Sequence, residues 1–75
     1  MHDAQYLPNR HGEKGDDWYP GEINPRPANI DVGDQARITD GQGWEIIGTV
    51  EQMEEDLQAG SVVVWVPQPP AERLP

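Results

Sequence analysis

Five apolar residues in a row, Val62-Val63-Val64-Trp65-Val66, set the terms for the rest of the chain. All are β-branched or aromatic, the types that fit a pleated, packed surface. Successive side chains of a strand point to opposite faces. A run with no polar member therefore predicts a strand covered on both sides, central in its sheet. Ser61 opens it, and Pro67, which cannot donate to a ladder, closes it. The cover has to come from within 75 residues that include no cysteine. That length allows one domain. No disulfide and no thiolate metal site can support it, and so small a core leaves stability marginal.

Upstream, the chain divides near Ile30. Residues 1–29 hold Pro8, Pro20, Pro25 and Pro27 with Gly12, Gly15 and Gly21 between them, and their apolar residues follow no period. Ordering backbone costs roughly 1–2 kcal/mol per residue, which such a composition offsets poorly. The expectation is an extended or disordered Pro/Gly-rich arm over 1–29 that contributes little to the fold. Residues 30–66 then form a small β-rich domain, and residues 67–75, with Pro67, Pro69 and Pro70, a Pro-rich tail.

Within 30–66, Ile30 and Val32 read as a strand entry, Gly33-Asp34 as a turn and Gln35 to Thr39 as a strand. Asp40-Gly41 signals a hairpin lengthened by Gln42 and Gly43. Trp44 to Ile47 is the next strand, which Gly48 bends or ends. Two readings compete for residues 49–60. Thr49 and Gln52 have capping-box spacing, Val50, Met53 and Leu57 share a helical face, and Gly60 suits a helix C-terminus. These predict a short helix from Val50 to Ala59. Alternatively the strand runs on through Gly48 to Met53, and Glu54 to Gly60 is a loop. Trp44, Ile46, Leu57, Val63 and Trp65 are expected to pack together as the core.

Charge narrows the function. Fourteen acidic and five basic residues give a net charge of −9. From Ile30 onward there are nine acids against two bases, densest at Glu51, Glu54, Glu55 and Asp56. Such a field repels nucleic-acid backbone and anionic membrane and is drawn to basic protein surfaces. No apolar stretch approaches the roughly 20 residues of a membrane span, and residues 1–10 lack a signal-peptide core. The expected location is cytoplasmic: the host cell cytoplasm, or a virion if phage-encoded.

Catalysis needs a positioned nucleophile, acid, base or metal. Ser61 is the only serine and has no histidine near it in sequence. His2 and His11 fall in the expected arm, where they read as solvated. The acidic segment lacks the alternating ligands and glycine of a calcium loop. No enzymatic activity, cofactor or metal is expected. Trp18-Tyr19 is the aromatic pair of residues 1–29 that could anchor in a partner, since large rigid rings dominate interface energetics.

Val32-Gly33-Asp34-Gln35-Ala36-Arg37-Ile38, followed by Ile47-Gly48-Thr49-Val50 and by Ser61 to Val66, resembles small SH3-like β-barrels over Ile30 to Val66. The resemblance implies a fold, not a function. The expected class is mainly β with one short helix (α+β). It would be an SH3-like, partly open barrel or a three-stranded antiparallel sheet, with an extended N-terminal arm and a Pro-rich C-terminal tail. The expected function is that of a non-enzymatic acidic protein-interaction module of the phage- or mobile-element-encoded kind. It would bind a basic surface of a host protein, as an inhibitor or nucleic-acid mimic, through Glu51, Glu54, Glu55, Asp56, Trp18 and Tyr19. The alternative is a structural accessory subunit of a virion or multiprotein complex, held by its arm.

Overall fold

The computed structural model describes residues 1–68; the tail beyond Gln68 lies outside the described residues. Its elements are strand β1 (His2–Tyr6), a 3-10 turn (Pro8–Arg10), and strands β2 (Trp18–Ile23), β3 (Gln35–Thr39), β4 (Glu45–Thr49), β5 (Gln52–Asp56) and β6 (Ser61–Pro67). They form one six-stranded sheet in the order β4-β3-β1-β2-β6-β5.

The valine-rich run is an interior strand, as its pattern demands. β6 pairs antiparallel with β2 on one side, Gly21 opposite Val64, and with β5 on the other, Met53 opposite Val64. Residues 1–29 are not an arm: they supply β1 and β2, the two middle strands. β1 runs parallel to β3 and antiparallel to β2. The prolines misled because they stand where a ladder tolerates them. Pro8 opens the 3-10 turn, Pro20 sits inside β2, and Pro25 follows the strand through a cis peptide bond.

Residues 52–56 form a strand where the capping and periodicity signals predicted a helix. Gln52 to Asp56 pair along β6 from Trp65 to Ser61. A helix there would leave that edge of β6 without partners, and unpaired buried backbone is costly. Helix propensity, a weak prior, loses to the ladder. Gly60, at φ +71°, closes the β5–β6 turn, and its N–H donates to the Asp56 carbonyl (2.9 Å).

β4 and β5 are the two ends of the sheet, yet only Val50 and Glu51 separate them in sequence. Six strands laid flat would hold the outer two about 24 Å apart, far beyond the reach of two linking residues. The sheet therefore curls into a half-barrel, and residues 45–56 act as one strand bent at Val50. The bend is held on both sides. Val50 N–H donates to the Asp34 carbonyl (2.8 Å), its carbonyl accepts from Gly33 N–H (2.8 Å), and Glu51 N–H donates to the Trp65 carbonyl (3.0 Å).

The concave side encloses Ala4, Ile23, Ile30, Ala36, Ile38, Val50, Val62, Val64 and Val66, with Tyr6, Tyr19, Ile46 and Met53 packed against them. The space is narrow. A Cβ on Gly21 would lie 2.8 Å from the Ala4 Cβ, and one on Gly48 only 2.6 Å from the Val66 Cγ1. Gly48 thus lets β4 close against β6 and does not end its strand.

The expected core does not pack as one cluster. Val63 and Trp65 are buried but outside the central cluster, Ile46 is half-buried against that cluster, and Trp44 is 37% exposed and Leu57 89% exposed. Leu57 was placed inside by a helical face that does not form; it sits on the β5–β6 turn. No helix among the described residues is long and apolar enough to cross a membrane.

Candidate interaction surfaces

Alternation along β6 sends Val62, Val64 and Val66 into the barrel and Val63 and Trp65 to the convex side. A tryptophan on that side needs its own cover, and the β1–β2 connection supplies it. The Arg10 guanidinium lies 5.5 Å from the Trp65 ring and the Lys14 ammonium 5.1 Å. The indole N–H donates to Glu54 Oε2 at 2.7 Å. Glu54 also accepts from Arg10 (2.9 Å) and lies 3.9 Å from Lys14. Trp65 is thereby fully buried beneath charged side chains. Hydrogen bonding from Arg10, reinforced by Trp65, holds the Glu54 carboxyl below its usual range.

The four acidic candidates do not share a face. Along β5, Glu54 points to the convex side and Glu55 to the other, where it accepts from Arg26 (2.8 Å). Asp56 accepts from Ala59 N–H (3.0 Å), which fixes the turn. Glu51, at the bend, is exposed. A helix would have stacked Glu51 on Glu55; the strand separates them. Beside the turn, Glu54, Glu55 and Asp56 nevertheless line one open groove of about 470 Å³, together with Arg10, Leu57, Gln58 and Val63.

Trp18 and Tyr19 likewise part company. Trp18 pairs with Pro67 across the ladder. Tyr19 joins a cluster with Tyr6, Trp44 and His11 that sequence reasoning missed. Ring centroids lie 5.1 Å apart for Tyr6–Trp44, 5.7 Å for Tyr19–Trp44 and 4.7 Å for His11–Tyr19. His11 is not solvated but half-buried. Its Nε2 lies 3.0 Å from the Asp16 carbonyl, which can only accept, so Nε2 carries the proton. Nδ1 lies 2.7 Å from the Tyr6 hydroxyl, within hydrogen-bond distance. Burial, and next the neighbouring Tyr19, push the Tyr6 phenol up, which keeps the hydroxyl protonated. His2 lies 3.3 Å from Asp34.

Every lysine and arginine of the described residues is in an ion pair: Arg10 with Glu13 and Glu54, Lys14 with Glu54, Arg26 with Glu55, and Arg37 with Asp3 and Glu45. Asp16, Glu22 and Glu51 have no basic partner among them. Among the described residues no group of three or more His, Cys, Asp and Glu side chains is placed to hold a metal ion.

Replacing Glu54 by Gln is expected to lower stability by about 1 kcal/mol or less at neutral pH, because solvent screens a carboxylate this open. The carboxyl is held below its unfolded value, so its contribution is present above the usual carboxylate range and fades as pH falls through it. Urea denaturation of both proteins across pH checks this. A stability gap that persists after Glu54 is protonated would show that charge is not the cause.

No family model matches the chain, and no match was found among curated proteins or solved structures.

Proposed function

We propose that this chain is a non-enzymatic acidic interaction module that binds a basic surface of a protein partner in the cytoplasm. In its sharpest form it is a phage- or mobile-element-encoded inhibitor that occupies the cleft where a host protein takes nucleic acid. We place the curled sheet with the SH3-like barrels on the strings around Val32, Gly48 and Ser61. The observation that carries the reading is the disposition of charge. Acids far outnumber bases, and the bases of the described residues are already neutralised within the chain. What faces outward is predominantly negative, and the exposed bases among the described residues are themselves paired, Lys14 with Glu54 and Arg37 with Asp3 and Glu45. Such a surface steers encounter with basic partners and repels phosphate backbone.

The alternative accessory subunit was motivated by a free N-terminal arm, and residues 1–29 are engaged in the sheet instead. The test is capture of partners from a host lysate at about 50 mM and about 500 mM salt, a range over which the Debye length falls severalfold. Nucleic-acid-binding proteins should be retained at low salt, released at high salt and displaced by DNA. Partners that resist both salt and DNA would overturn charge mimicry.

A further inference from the structure

The aromatic end of the barrel has no role in the acidic reading so far. Tyr6 and Tyr19 stand on neighbouring strands with their rings beside the core, and Trp44 lies across them at the base of the β3–β4 hairpin. The hairpin is built to hold that tryptophan. The Asp40 carboxylate accepts from Gln42 N–H (2.8 Å) and Trp44 N–H (3.2 Å), and the Trp44 carbonyl accepts from Asp40 N–H (3.2 Å). Gly41 and Gly43, at φ +77° and +102°, give the loop turns that other residues rarely adopt. A large ring is thus fixed by a rigid loop and still left 37% exposed.

Both cation–π contacts of the described residues fall on Trp65, and the remaining bases are paired, Arg26 at Glu55 and Arg37 at Asp3 and Glu45. Among the described residues, no lysine or arginine lies over Tyr6, Tyr19 or Trp44. Acids flank the rings in sequence: Asp40 before Trp44, Glu45 after it at 3.9 Å from Arg37, and Asp16, whose carbonyl anchors His11. Centroids 5.1 to 6.3 Å apart mean that the three rings pack on one another, with no slot for a cation between them. The exposed ring of the three is Trp44, at 37%.

We infer that Trp44, backed by Tyr6 and Tyr19, is a docking platform for an arginine side chain of the basic partner. This rests on the acidic-module reading and names its anchor. A guanidinium is planar and weakly hydrated, so it stacks on an indole while the surrounding carboxylates supply long-range attraction; an ammonium does this less well.

The full chain is titrated with blocked hexa-arginine and hexa-lysine peptides at low salt, and the indole N–H and tyrosine ring signals are followed by NMR. Hexa-arginine should move the signals of Trp44, Tyr6 and Tyr19 and leave the Trp65 indole, already bonded to Glu54, in place. It should bind about threefold or more tighter than hexa-lysine. Trp44→Leu, which keeps apolar bulk without a π face, should weaken hexa-arginine about fivefold, whereas Trp44→Phe should keep most of the affinity. If hexa-arginine moves only residues near Glu22 and Glu51 while the Trp44 signal stays put, the platform is wrong and the acidic reading stands. The same holds if both peptides bind equally and Trp44→Leu changes neither. Absence of binding by both peptides at low salt would overturn the platform and the acidic reading together.

Discussion

A chain beginning at Asn29 is expected to be unfolded, with the loss of the whole stability of the protein. β1 and β2 stand between the β4-β3 pair and the β6-β5 pair. Without them two hairpins remain, and an isolated two-stranded hairpin is marginal at best in water. The deletion also removes Ala4 and Ile23 from the core and strips β6 of its β2 partner. The parallel β1–β3 ladder, His2 opposite Ala36 through Gln5 opposite Thr39, goes with it. Circular dichroism and a denaturant titration of the truncated chain check this. A cooperative transition with a β spectrum would show that residues 30–68 fold alone and that the first two strands only dock.

Trp65→Ala is expected to cost about 3–5 kcal/mol, a large part of the stability a domain of this size possesses. The ring is fully buried on the convex side, so its removal leaves a void beneath Arg10 and Lys14. It also deprives Glu54 of the indole donor. Trp65→Phe keeps an aromatic ring in the site but loses the N–H and part of the ring, and should cost less than Trp65→Ala, about 1–2 kcal/mol. The urea midpoints of the three proteins give the comparison. An unshifted midpoint for Trp65→Ala would mean that the convex-side cover is not part of the fold.

What was legible in the sequence was local. Val62 to Val66 announced a central strand because no member could face water. Gln35 to Thr39 and the Asp40-Gly41 hairpin were read from alternation and turn chemistry; the bounds of the first strand hold, while the second runs from Glu45 to Thr49 and not from Trp44 to Ile47. What was not legible depended on partners far along the chain. Tyr6 and Trp44 meet only because β1 lies parallel beside β3. Glu54 and Trp65 meet through the β5–β6 pairing. At residues 49–60 the local signals favoured a helix, and the unpaired edge of β6 decided against it. The prolines of residues 1–29 lowered the strand signal where the ladder needed it most. The acidic candidates were found by composition. Their separate roles, Glu54 under Arg10, Glu55 at Arg26 and Asp56 in a turn, could not be seen without a register.

The bend at Val50 has a consequence for how the molecule comes apart. Because residues 45–56 form a single strand that belongs to both ends of the sheet, neither end can fray without pulling on the other. Detaching β4 from β3 loosens the hydrogen bonds of Val50 and Glu51, and with them the seating of β5 on β6. Partial openings, which in larger sheets peel one strand at a time, are tied together here. The protein is a closed loop of dependencies, and its most protected amides share one route to solvent: loss of the entire structure at once.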